Sequence, residues 1–154
     1  MSSITNYREL RVYDAAFEGA MILYEASKLW PKAEQFGLTD QVRRASRSVC
    51  ANIAEAWFKR RYPRHFTSKL SDAGAEASET IVWIDFAERC GYLSPEDAVA
   101  LRQRFHASAG GLVKMTAHPE QWCIPDGSVR EEPVAYGNSD ILDFPSPPLP
   151  GSPS

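Results

Sequence analysis

"HFTSKLSDAGAEASETIVWIDFAERCGYLSPEDAVALRQRF", residues 65–105, decides the fold. Phe66, Leu70, Ala73, Ala77, Thr80, Ile84, Ala87 and Gly91 follow one another at alternating steps of four and three. That period lays one apolar stripe along one long helix. Gly91 suits a helix stop. "SPED" restarts the chain at once: Ser94 caps, Pro95 takes the first helical position, and Glu96 and Asp97 face the positive helix end. A fourth stripe follows in Ala98, Leu101, Phe105, Ser108, Leu112 and Met115.

The same reading extends upstream. Pro31, Pro63 and Pro95 cut residues 1–118 into four segments, each with a helical heptad. The first carries Leu10, Tyr13, Phe17, Ala20, Tyr24 and Ser27; the second carries Leu38, Val42, Ala45, Val49, Asn52 and Ala56. Asn6 with Glu9 reads as a capping box, and Thr39 as the cap of the second helix. Helices are expected over about 7–29, 39–61, 64–90 and 95–117, and nothing reads as a strand. Short connections then give an all-α, antiparallel up-down-up-down four-helix bundle.

Eight of the eleven prolines lie at or after Pro119, where six acids accompany a single Arg. Residues 119–154 therefore read as a Pro-rich, acidic and mostly disordered tail. Its "PSPPLP" suits a proline-recognising partner, or nothing beyond solvation.

Of the 154 residues 44% are hydrophobic and 24% charged, an ordinary globular balance that buries a core without staples. Cys50, Cys90 and Cys123 are odd in number and lack a CxxC pair, which argues against a disulfide framework or a zinc site. No basic-then-apolar leader opens the chain, and no apolar run reaches the roughly 18 residues of a membrane span. A cytoplasmic protein is expected.

The charge is uneven. Residues 42–69 hold Arg43, Arg44, Arg47, Lys59, Arg60, Arg61, Arg64 and Lys69 against one acid, Glu55, for a net of +7. The remainder holds nine basic and nineteen acidic residues, so the chain nets −3. Asymmetry of this kind marks either a phosphate-binding edge or a solvated helix face opposed by Glu25, Glu34, Asp72 and Glu76.

Enzyme chemistry finds no footing. Asn52 and Glu55 stand three apart, a spacing open to catalysis, but Asn52 lies on the second stripe. A buried Asn fixing register, partnered by Ser71, Glu76 or Glu79, accounts for it, with Glu55 free to pair Lys59 one turn on. Glu55, Glu76 and Glu79 lack the Glu-x-x-His pairs of a dimetal bundle, since His65, His106 and His118 never follow a Glu by three. Cys50 reads as an apolar filler. Gly110-Gly111 lacks the phosphate-loop pattern and suits close packing. No catalytic residue, metal or cofactor is expected.

Trp30, Trp57, Phe58, Trp83, Phe86 and Tyr92 lie off or beside the stripes. A four-helix bundle offers few places for that much aromatic area, so either the helices rotate to use a wider stripe or, the favoured expectation, a second apolar face meets another subunit.

"FGLTDQVRRAS", "NIAEAWFKR" and "CGYL" together resemble the bacterial four helix bundle protein family, the proteins of 23S rRNA intervening sequences. The likeness runs from about Tyr7 to Met115 and extends to the accessory variability determinant of diversity-generating retroelements. It implies a left-handed bundle assembled as a homopentameric ring, with no catalytic activity. Those retroelement relatives are basic and work with a reverse transcriptase and nucleic acid, RNA or DNA. Where the family motif has glycine after Glu55, this chain has Ala56.

Two functions follow as expectations. One is a homo-oligomeric scaffold or accessory protein whose basic edge touches nucleic-acid phosphates. The other is a protein-interaction module using the tail or the off-stripe aromatics.

Overall fold

The structure is a computed structural model that describes residues 3–125. Four helices carry it: α1 (Arg11–Ser27), α2 (Asp40–Phe58), α3 (Pro63–Arg89) and α4 (Pro95–Ala117). No strand occurs among the described residues. Each helix packs on its sequence neighbours and α1 closes on α4, so the chain forms the expected four-helix bundle.

The two later stripes lie where the periodicity puts them. Phe66, Leu70, Ala73, Ala77, Thr80, Ile84 and Ala87 are the buried residues of α3. Ala98, Leu101, Phe105, Ser108, Leu112 and Met115 are those of α4. The join between them also follows the chemistry. Gly91 takes φ +80°. Tyr92 N–H then reaches the Ala87 carbonyl at 2.8 Å and Gly91 N–H the Glu88 carbonyl at 3.0 Å. This paired closure satisfies carbonyls that would otherwise end the helix bare. Ser94 Oγ accepts from Asp97 N–H at 3.1 Å and starts α4. Ser94→Ala should cost about 1 kcal/mol, read as a lower urea midpoint at unchanged slope.

The first two stripes differ from expectation. In α1 the buried residues are Val12, Ala16, Gly19, Ala20, Leu23 and Ser27, while Tyr13 and Tyr24 are half-buried and Phe17 is 43% exposed. Close approach to α4 is the reason. A Cβ on Gly19 would stand 2.7 Å from the Phe105 ring, and one on Gly111 would collide with Val12. Small residues therefore face α4, and the aromatics turn sideways toward α2. Gly110, by contrast, borders open space.

In α2 the core position expected for Asn52 belongs to Ile53, which is fully buried. Asn52 is half-buried, and its amide donates to the Ser48 carbonyl at 2.9 Å and the Ser48 hydroxyl at 3.1 Å. A local partner one turn back removes the cost of an unpaired amide without any bond to α3.

Capping differs at two helix starts. Asn6 caps a separate 3-10 turn (Tyr7–Glu9), accepting from Arg8 N–H, and Leu10 leads extended into α1. Thr39 is helical in backbone and caps nothing, because a wide π turn (Gln35–Thr39) runs straight into α2. The second helix also ends earlier than expected: Lys59 N–H bonds back to Glu55 and Ala56, and a turn through Tyr62 follows.

The boundary expected at Pro119 moves. Pro119–Gln121 forms a short 3-10 turn, and Trp122 and Cys123 pack partly buried against the core. Ile124 N–H donates to the Arg60 carbonyl at 3.1 Å. The rest of the expected tail, 126–154, lies outside the described residues. No described helix is long and apolar enough to cross a membrane.

Candidate nucleic-acid interface

The eight cations of residues 42–69 do not form one surface. Helical rise separates Arg43 from Lys59 by about 24 Å along α2, so the run divides into a patch near the start of α2 and one at the α2–α3 corner.

At the first patch α1 and α2 meet through Tyr24. The Arg43 guanidinium lies 4.9 Å from the Tyr24 ring centroid, and that of Arg47 lies 5.7 Å from it. Arg43 Nε also donates to Ser27 Oγ at 2.8 Å. An aromatic face attracts a cation without cancelling its charge. Neither arginine forms an ion pair among the described residues. With Asp40 they border a shallow groove of about 550 Å³.

Arg44 borders the same groove but reaches across to α3. It bonds Glu79 at 2.8 Å and stands 3.9 Å from Glu76, tying α2 to α3. Glu79 also accepts from Trp83 Nε1 at 3.3 Å. Burial, followed by the hydrogen bond and negative charge of Glu79, pushes the Glu76 carboxyl above its ordinary value. A raised acid is protonated more readily folded than unfolded, so its ionised form weighs against the fold as pH rises through the raised value. Glu76→Gln should therefore gain melting temperature over the parent at neutral pH and lose that gain below the ordinary carboxylate range. Parallel thermal melts across pH check this.

At the corner, Arg60 is withdrawn. Its guanidinium stacks 3.6 Å from the Trp57 centroid and its Nε donates to the Trp57 carbonyl at 2.9 Å. Burial there holds its pKa below the usual arginine value. Lys69 is neutralised by Glu55 at 2.8 Å, with Asp72 at 3.9 Å. The Lys69 hydrogen bond and charge in turn hold Glu55 below its ordinary pKa. Their small contribution is present above the ordinary carboxylate range and lost as pH falls through the depressed value. Glu55 thus pairs across to α3, not along α2 to Lys59.

Six of the eight form no ion pair among the described residues; setting aside Arg60, which is withdrawn against Trp57, five remain, Arg43 and Arg47 at one patch and Lys59, Arg61 and Arg64 at the other. Of the acids expected to oppose them, Glu25 pairs with Lys28, Asp72 with Lys69 and Glu76 with Arg44. The expected cluster is smaller than its composition suggested, and it is bipartite.

Asn52 and Glu55 have different partners, Ser48 on α2 and Lys69 on α3. Burial pushes the Cys50 thiol up to about 11, which leaves little thiolate at neutral pH. No three His, Cys, Asp or Glu side chains gather as a metal site among the described residues.

Sequence reading missed Tyr24 as the organiser of the first patch. It also missed Trp57 as the platform of Arg60. In the second case the signal was present, an aromatic three residues before an arginine at the end of a helix.

No curated protein sequence matches the chain. Among solved structures the fold is similar to a protein of unknown function from the S23 ribosomal protein family of Bacteroides thetaiotaomicron. The two share 25% sequence identity and a TM-score of 0.62, over 69% of this chain and 95% of that one. The family model described as "23S rRNA-intervening sequence protein" matches residues 8–113. With that match spanning the bundle from the turn before α1 nearly to the end of α4, the chain belongs to the 23S rRNA-intervening sequence protein family.

Proposed function

We propose that this bundle is a non-enzymatic, homo-oligomeric scaffold or accessory protein that contacts nucleic-acid phosphates. What supports the reading is the concentration within residues 42–69 of five cations that form no ion pair and are not withdrawn against Trp57, on a chain whose remainder is acidic. Unpaired Lys and Arg gain affinity by releasing counterions from a phosphate backbone. Folded geometry has already sorted them from Arg44, Arg60 and Lys69, which serve the bundle itself.

Assembly as a homopentameric ring would repeat each patch around a common axis and raise the local positive potential. Exposed apolar side chains suit such an assembly: Leu29 is 90% exposed and Phe58 89%. A protein partner such as a reverse transcriptase fits the same reading. Filter binding of a structured RNA by the full chain at about 50 mM salt tests it. Retention of RNA that falls when Arg43 and Arg47 become Gln is expected, and no retention at all sinks it.

A second reading makes the same exposed apolar groups the contact surface for another protein, with no nucleic-acid role. Pull-down of a partner that persists in the Arg43 and Arg47 variants, with no RNA retained, favours it. Deleting residues 126–154 then separates a tail-mediated contact from one made by the bundle.

A further inference from the structure

The aromatic residues that α1 turns away from the core line a hollow beside the first basic patch. Tyr13, Phe17, Met21, Tyr24, Arg47 and Cys50 border a cavity of about 330 Å³ between α1 and α2. Tyr13 and Phe17 stack, with ring centroids 5.8 Å apart and planes 22° from parallel. Arg47 borders both this cavity and the arginine groove next to it. A hollow walled by aromatic rings therefore shares Arg47 with a groove walled by Arg43, Arg44 and Arg47.

We infer that this pair of hollows takes an unpaired nucleotide of RNA, the base in the aromatic cavity and its phosphate on Arg43 and Arg47. The inference rests on the phosphate-contact reading above and adds to it what kind of RNA is held. Duplex RNA hides its base faces in the stack, and its phosphates alone have no use for Tyr13, Phe17 and Tyr24. Loops and single strands present unstacked bases, which lie on aromatic rings and guanidinium planes. Charge favours the same occupant. Both arginines are without an ion pair, and Asp40 is the one acid on the groove wall. The thiol of Cys50 is held protonated by burial and adds no negative charge to the cavity.

Phe17 and Met21 carry no donor for a base edge, so stacking on the Phe17 ring is expected to tolerate any base.

Fluorescence anisotropy with the full chain tests this, using a 12-nucleotide unstructured RNA and a blunt duplex of the same sequence. Phe17 is 43% exposed, so Phe17→Ala leaves the core untouched. Single-strand affinity should fall about tenfold in Phe17→Ala, and duplex affinity by less than about twofold. Val113→Ala, on exposed α4 surface, should change neither. Equal loss on single strand and duplex, or no loss on either, overturns the base assignment. In that case phosphate contact still stands if Arg43→Gln with Arg47→Gln weakens both ligands. Failure of the parent chain to bind either ligand overturns both readings together. A change of sedimentation coefficient in Phe17→Ala without RNA shows the cavity covered by a second copy, and overturns the base assignment as well.

Discussion

Phe105→Ala should destabilise the bundle by about 3–5 kcal/mol, the largest stability loss expected from any single truncation here. Phe105 is completely buried, and its ring stands where a Cβ on Gly19 would collide with it. Helix α1 therefore approaches α4 around this one ring. Removing it leaves a void that Gly19 has no side chain to fill, so relaxation recovers little. Thermal melting should show the midpoint falling by about 10 °C or more for a chain of this length. Gly19→Leu should fail in the opposite sense, by overpacking the same contact. A midpoint shift of under about 3 °C in Phe105→Ala would mean that α1 is not held there.

The largest functional effect should come from the five unpaired cations other than Arg60. Replacing Arg43, Arg47, Lys59, Arg61 and Arg64 together with Gln should weaken RNA binding at least about a hundredfold near 50 mM salt. Replacing Arg44 and Lys69 with Gln changes charge by the same amount per residue but should weaken binding by less than about threefold. Their guanidinium and ammonium groups already face Glu79 and Glu55 at 2.8 Å. They act across the α2–α3 interface, and their loss belongs in a melting curve. The contrast separates a positive surface from positive composition.

Much of this architecture was legible in the order of residues. Stripes three and four were legible within α3 and α4 because their residues keep one helical face, whereas Gly91, counted in stripe three, ends the helix exposed. The Ser94 cap and the Gly91 stop were legible for a different reason: each depends on groups within a few residues of itself. Stripe one was misread because Tyr13, Phe17 and Tyr24 keep helical spacing on a face adjacent to the true core face. Periodicity reports that a stripe exists. It does not say which of two neighbouring stripes meets α4. That choice was made by Gly19 against Phe105, 86 positions apart in chain, and by Gly111 against Val12, 99 positions apart, each pair in contact in space.

The candidate site was legible only as a charge run. Nothing local says that Arg44 reaches α3 while Arg43 and Arg47 reach Tyr24 on α1. On a helix, adjacent residues diverge by about 100°, so neighbours in sequence serve different interfaces. Asn52 shows the same limit. Its place in the heptad suggested a buried register contact, whereas Ser48, one turn earlier, satisfied its amide and left Ile53 to fill the core.

Phosphate contact through unpaired cations is the centre of this account, and the salt dependence of RNA binding tests it most directly. The observed affinity of the full chain should fall linearly with the logarithm of salt between about 50 and 200 mM. Changing Arg43 and Arg47 to Gln should reduce the slope by about 1.4 to 1.8, the counterions of two lost phosphate contacts. An unchanged slope in that double variant would contradict the account.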